Sequence, residues 1–109
     1  MISIYKEDGE NLLISLNLKE ANLENAAEFK GELISLFDKD HKRLVLNLQQ
    51  VEYIDSSFLG ALVAALKHVI AFQSDIVLVG LRKDIADLFA LIRLDKVFKI
   101  YSSFNDVTG

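Results

Sequence analysis

Residues 51–60 read Val51-Glu52-Tyr53-Ile54-Asp55-Ser56-Ser57-Phe58-Leu59-Gly60, and within this stretch an apolar strand gives way to a long apolar helix. Asp55, Ser56 and Ser57 stand at the junction, where the first backbone N–H groups of a helix have no partner inside the helix. Asp and Ser are preferred helix caps, so a plain cap is one interpretation. A hydroxyl that is phosphorylated and dephosphorylated at a helix N-terminus is the other.

The flanking sequence predicts one α/β domain over residues 1–109, with element order ββαβαβαβ and a possible terminal helix. Asp8-Gly9 between alternating apolar residues predicts a hairpin, and Asn22 is the expected N-cap of the first helix. Because later strands follow helical crossovers, we expect a mixed, mostly parallel sheet with helices packed on it. The predicted strands contain Ile2 and Ile4, Asn11–Leu18, Arg43–Leu48, Ile76–Val79 and Val97–Tyr101; the predicted helices are Leu23–Phe37, Ser57–Phe72, Asp84–Ile92 and a short one within Ser103–Gly109.

The helix after the junction has two unlike sides. Its predicted core stripe is Leu59, Leu62, Val63, Leu66, Val69 and Ile70, and that of the next helix is Ile85, Leu88, Phe89 and Ile92. The opposite side of the first of these helices carries few charges and consists of Ser57, Ala61, Ala64, His68 and Ala71, with Phe72 at its margin. Either neighbouring helices of the same domain cover part of this outer face, or it is a partner-binding surface continuous with Ser56.

The composition excludes several functional classes. Of the 109 residues, 51% are hydrophobic and 26% charged, which is enough for a folded core. A net charge of −4 argues against a nucleic-acid surface, and the lack of cysteine removes thiol and Cys-based metal chemistry. His41 and His68 have no companion at ligand spacing, so we expect no metal or cofactor. With no signal peptide and no span long enough for membrane insertion, the expected location is the cytoplasm.

A serine hydrolase would need a base within hydrogen-bond reach of Ser56. His68 lies twelve residues along the same helix, about 18 Å away at helical rise, and so cannot serve that hydroxyl. His41 lies in a charged, exposed turn. The sequence therefore predicts no catalytic residues.

An aspartyl-phosphate receiver domain is a second alternative. Asp55 after a central strand, the acidic pair Glu7-Asp8 and a late lysine, Lys96 or Lys99, imitate its constellation. The residues after Gly9 alternate as in a strand, so Glu7-Asp8 belongs to a hairpin turn. That turn lies far from the strand end where metal ligands would be needed.

The junction Asp55-Ser56-Ser57-Phe58-Leu59-Gly60 resembles the Asp-Ser-Ser/Thr-Gly-Leu-Gly signature of the STAS domain family, particularly the bacterial anti-sigma factor antagonists. The resemblance extends over nearly the whole chain. Lys19-Glu20-Ala21-Asn22 is similar to the family's Gly-Glu-Leu-Asp turn before its first helix. The apolar strand Leu44–Leu48 and the segment Leu88–Phe98 look like the elements that precede the motif and end the domain.

This resemblance implies a switch protein. The unphosphorylated antagonist binds an anti-sigma factor that is also a serine kinase of the GHKL type, and so releases the sigma factor. The kinase phosphorylates the serine after the Asp, which is Ser56 here, and a serine phosphatase resets the cycle. Ser57 is the secondary candidate, and Asp55 would orient the hydroxyl. The expected partner-binding residues are Asn22, Asp55, Ser56, Ser57, Phe58, Ala61, Ala64 and His68.

Two residues depart from the family pattern. Phe58 and Lys19 each stand where the family usually has Gly. An aromatic ring beside the phosphoacceptor would either obstruct a kinase or anchor an altered partner. The alternative function is therefore a non-phosphorylated STAS interaction subunit, such as a stress-complex scaffold or a lipid-transport accessory subunit. The oligomeric state stays open.

Overall fold

The computed structural model describes the chain from Met1 to Thr108, and its elements follow the predicted order. Gly109, the end of the predicted terminal helix, lies outside the described residues. The strands are β1 (Ile2–Glu7), β2 (Asn11–Leu16), β3 (Glu20–Ala21), β4 (Arg43–Asn47), β5 (Tyr53–Ile54), β6 (Ile76–Val79) and β7 (Lys99–Tyr101). The helices are α1 (Leu23–Asp40), α2 (Ser56–Ala71), α3 (Lys83–Leu91), a 3₁₀ turn (Leu94–Lys96) and α4 (Phe104–Thr108).

The main sheet has five strands in the order β1-β2-β4-β6-β7. β1 pairs with β2 antiparallel and every other pair is parallel, which confirms the predicted mixed sheet. β4 and β6 are central and their apolar residues are buried, as continuous apolar runs indicate. The sequence did not predict β3 and β5, which form a separate parallel pair.

The hairpin between β1 and β2 closes on Asp8. Its Oδ1 accepts hydrogen bonds from the backbone N–H groups of Glu10 (2.8 Å) and Asn11 (2.7 Å), and these bonds lower the pKa of Asp8. Neighbouring Glu7 forms an ion pair with Lys42 at 2.7 Å. Because β2 begins here, the turn lies at the amino edge of the parallel strands, whereas Asp55 follows their carboxyl edge. The receiver-like grouping of these carboxylates is therefore absent.

Both faces of the sheet are covered. On one side, α1, α2, α3 and strand residues such as Leu44 and Leu78 share a large apolar cluster. On the other side, Leu13, Val45, Val77 and Val79 form a smaller cluster against Phe104 and Val107 of α4. Two predictions of inward-facing residues are wrong, because Ile70 is 54% exposed and Ile92 is 45% exposed. They lie at or just beyond the ends of α2 and α3, where the apolar stripe runs past the edge of the core.

Gly80, which follows β6, has a backbone that disfavours any side chain. Its φ is +72°, and a Cβ built there would lie 2.7 Å from Asn47 Oδ1. That oxygen already accepts a hydrogen bond from the backbone N–H of Gln49 at 2.8 Å, so it is not free to move away.

We therefore expect Gly80→Ala to lower the free energy of unfolding by about 1–2 kcal/mol from the left-handed backbone alone, with the clash adding to this loss. Urea unfolding followed by circular dichroism measures it. Gly31→Ala is the matched control, because a Cβ at exposed Gly31 in α1 meets nothing within 4 Å. An unchanged urea midpoint for Gly80→Ala would contradict the expected backbone strain at this position.

Candidate functional site

The carboxylate of Asp55 caps two helices at once. Asp55 is the N-cap of α2, and its Oδ1 accepts a hydrogen bond from the backbone N–H of Phe58 at 2.9 Å. Its Oδ2 accepts another, also at 2.9 Å, from the backbone N–H of Leu23, the first residue of α1. One side chain therefore satisfies an unpaired donor at the start of each helix and holds the two helix starts together.

The β3–β5 pair brings these two helix starts side by side. Ala21 and Ile54 are in register, and the backbone N–H of Asp55 donates to the carbonyl of Ala21 at 3.0 Å. The backbone N–H groups of Glu52 and Tyr53 both donate to the carbonyl of Lys19, at 2.8 and 3.1 Å. The Lys19–Asn22 turn and the Asp55–Ser57 junction, which the sequence singled out separately, thus form one site.

Asn22 is the N-cap of α1, as predicted. Its side chain accepts a hydrogen bond from the backbone N–H of Glu24 at 3.0 Å, and Asn25 Oδ1 accepts one from the backbone N–H of Asn22 at 2.9 Å. Asn25 Nδ2 also donates to the carbonyl of Glu20 at 3.1 Å. This reciprocal cap leaves the Asn22 side chain occupied with the helix start.

Ser56 and Ser57 are the first two residues of α2, and both are exposed. The helix begins at Ser56, one residue earlier than predicted, because Asp55 serves as the cap. Neither hydroxyl makes a hydrogen bond to another group in the part of the chain from Met1 to Thr108. Capping therefore falls to Asp55, and the two serine hydroxyls are accessible at the positive end of a helix dipole.

Phe58 does not reach the surface. Its side chain is fully buried, and its ring stacks on Phe29 of α1 with ring centroids 4.4 Å apart. The expectation that Phe58 contacts a partner or crowds the phosphoacceptor is therefore wrong in this structure. The residue begins the buried stripe Phe58, Leu62, Ala65 and Val69, whereas the predicted core stripe begins at Leu59. The helical spacing of this stripe is present in the sequence.

The predicted outer face of α2 is partly covered by α1. His68 Nε2 lies 2.8 Å from Asp38 Oδ1 of α1, and the His68 ring meets the Phe37 ring edge-on at 6.0 Å. Ala61 is half-buried against the core and Ala64 is half-buried as well. The alternative in which a neighbouring helix covers part of this face is therefore confirmed, and His68 is engaged by its own domain. The exposed strip of α2 consists of Ser56, Ser57, Gly60, Lys67, Ile70 and Ala71.

The sequence matches a known protein family. A family model described as the STAS domain matches residues 6–107. The chain belongs to the STAS domain family.

Named relatives of this STAS domain cover most of its length. A candidate anti-sigma factor antagonist of Thermotoga neapolitana is 33% identical over 98 residues, which are 89% of this chain and 87% of that protein. TM1081 of Thermotoga maritima is described as a candidate anti-sigma factor antagonist. Its solution structure has a TM-score of 0.80 at 30% identity, and the match covers 95% of this chain and 83% of the TM1081 chain. SpoIIAA of Bacillus in its phosphorylated form has a TM-score of 0.72 at 13% identity, covering 99% and 97%, and shares the fold.

One other polar region has its cationic side chains already engaged. A shallow depression at the opposite edge of the sheet has a charged rim, yet its cations are engaged: Arg43 donates to Asn11 Oδ1 at 2.7 Å and Lys99 lies 3.7 Å from Asp75. Within residues 1–108 no three His, Asp or Glu side chains group as metal ligands, and none of the helices described there is long and apolar enough to cross a membrane. The accessible serines beside Asp55 are therefore the candidate site.

The burial of Phe58 makes it a structural residue of this STAS domain. We expect Phe58→Ala to lower the free energy of unfolding by about 3–5 kcal/mol, because the substitution removes a buried ring and its stack on Phe29. Phe58→Leu keeps most of the apolar volume and should lose clearly less. Chemical unfolding of the three proteins measures the series, and equal stability of Phe58→Ala and wild type would show that the ring is not buried in solution.

Proposed function

We propose that this STAS domain is a cytoplasmic anti-sigma factor antagonist that binds an anti-sigma factor, and that phosphorylation of Ser56 ends the binding. The observation that carries the proposal is the accessible Ser56 hydroxyl beside an Asp55 that already caps the helix. The relatives described as candidate antagonists support the binding role. The proposed partners are a GHKL-type anti-sigma kinase and a serine phosphatase.

The charges around Ser56 favour a switch that acts without refolding. A phosphoserine carries about −1.5 to −2 charges at pH 7 and gains from the N-terminal end of α2. It also stands next to the Asp55 carboxylate, whose two oxygens are held by Phe58 and Leu23. The domain can therefore keep its fold, while a partner fitted to a neutral hydroxyl meets added bulk and loses its contact with that hydroxyl. Ser56 is favoured over Ser57 because it directly follows Asp55, as in the family motif.

The alternative, a STAS interaction subunit without a phosphorylation cycle, rests on Phe58, which stands where the family usually has Gly. Since that ring is buried against Phe29, it does not stand between a kinase and Ser56. The phosphorylated antagonist is therefore the better supported of the two.

Phosphorylation by each GHKL-type kinase encoded in the same genome, with ATP and an intact-mass readout, tests the switch. Wild type should gain one phosphate and then lose affinity for the kinase. Ser57→Ala is the matched control and should be phosphorylated as wild type, whereas Ser56→Ala should stay unmodified. Equal phosphorylation of Ser56→Ala and wild type would refute the assignment, and a wild type that binds the kinase without being modified would favour the interaction subunit.

Gly60 gives an independent test of where a partner lies. It is exposed on α2 one turn beyond Ser56, and a Cβ there meets nothing within 4 Å. Glycine inside a helix is less favourable than alanine by about 1 kcal/mol, so Gly60→Ala should stabilise the free domain. If a partner backbone packs closely on this turn, the same methyl should weaken its binding about tenfold or more.

The matched control is Gly31→Ala, which adds the same methyl to exposed Gly31 of α1. It should also raise the urea midpoint but leave the affinity for the anti-sigma factor unchanged, as measured by calorimetric titration. Undiminished affinity of Gly60→Ala would mean that the partner does not approach this turn of α2.

A further inference from the structure

Two large exposed apolar side chains belong to residues near Asp55, the cap that precedes Ser56. Leu23 is 70% exposed and Tyr53 is 54% exposed. Leu23 opens α1, and its backbone N–H is bonded to the Asp55 carboxylate at 2.9 Å. Tyr53 lies in β5, two residues before Asp55, and its backbone N–H donates to the carbonyl of Lys19 at 3.1 Å. Both residues are therefore fixed, through their backbones, to the residues that hold the switch serine.

Acidic residues neighbour both of these apolar residues, in strand register or along the chain. Glu20 is the register partner of Tyr53 across the β3–β5 pair, so their side chains project from the same face. Glu24 follows Leu23 in the first turn of α1, and Glu52 precedes Tyr53. Glu20, Glu24 and Glu52 are exposed, and Asp55 is partly exposed.

Few cations offset this charge. Across residues 19–24 and 52–57 the only cation is Lys19. The nearby Arg82 is engaged: its Nη2 lies 3.8 Å from Glu52 Oε2, and its Nε donates to the carbonyl of Gln49 at 3.1 Å. The surface around Leu23 and Tyr53 is therefore acidic, on a chain whose net charge is −4.

Exposed apolar residues that stand singly on a surface need no explanation. This pair differs because a hydrogen-bonded scaffold holds both members next to an accessible hydroxyl. A backbone that is already held loses little further freedom on binding, and tyrosine is enriched among the residues that dominate interface energies. An apolar centre with a polar rim is the usual anatomy of a protein interface.

We propose that Leu23 and Tyr53 are the apolar anchors of the partner-binding surface, and that the occupant is a protein presenting an apolar pocket bordered by Lys and Arg side chains. The inference rests on the proposed function for the location of the surface and adds the anchors and the chemistry of the partner. Because an acidic rim attracts such a partner at long range, release by phosphate at Ser56 must act at short range, through bulk and the lost hydroxyl contact.

Calorimetric titration with each purified GHKL-type anti-sigma factor from the same genome tests the anchors. Leu23→Ala and Tyr53→Thr should each weaken binding about tenfold or more, and both should fold, since the changed side chains are exposed and threonine suits a strand. The matched control is Leu91→Ala, because Leu91 is 79% exposed at the end of α3 and should not matter. The urea midpoints of all variants show whether a loss of affinity comes from a loss of folding stability.

Salt dependence tests the acidic rim. Affinity of wild type should fall as salt rises, and the double variant Glu20→Gln, Glu24→Gln should bind more weakly at low salt and show a flatter salt dependence. An affinity that does not change with salt would refute the proposal that the partner presents Lys and Arg side chains.

The outcomes separate the two proposals. Wild type that binds none of the factors overturns the antagonist function and this inference with it. If wild type binds a factor and Leu23→Ala and Tyr53→Thr bind it as tightly as Leu91→Ala does, the proposed anchors are wrong. The antagonist function would still stand.

Discussion

The geometry of this STAS domain depends on the two hydrogen bonds accepted by the Asp55 carboxylate. Each helix begins with backbone N–H groups that its own turns cannot satisfy, and one side chain supplies an acceptor to α1 and to α2. A cap contributes only about 0.5–2 kcal/mol, so most of the stability comes from elsewhere. The contribution of Asp55 is positional, because a short carboxylate that bonds both helices holds their starts in one arrangement.

Packing along the two helices maintains that arrangement. Phe29 and Phe58 stack just inside the capped ends, where burial of large rings supplies far more free energy than a cap. Farther along, His68 of α2 meets Asp38 of α1, and the rings of Phe72 and His41 lie 4.5 Å apart. The helix pair is thus joined near both of its ends, which favours a rigid surface over one that rearranges when a single residue is modified.

This arrangement divides the polar residues at the junction between two tasks. Asp55 faces the interior of the site and bonds the backbone, while Ser56 and Ser57 face outward with free hydroxyls. A cap and an accessible hydroxyl looked like rival interpretations of one tripeptide. They are compatible because a helix start needs only one side-chain acceptor, and the residue just before the helix is best placed to supply it.

The sequence by itself determined the order of the main elements, the hairpin at Asp8, the buried central strands and the Asn22 cap of α1, because turn chemistry, apolar periodicity and capping act between near neighbours. It did not reveal β3 and β5, since two-residue strands have no periodicity. Only the tertiary structure decided that Asp55 reaches Leu23, that Phe58 turns inward onto Phe29, and that α1 covers His68. Each of these contacts joins residues about thirty positions apart, and such contacts exist only once the packing of α1 against α2 has fixed which side of each helix faces the other.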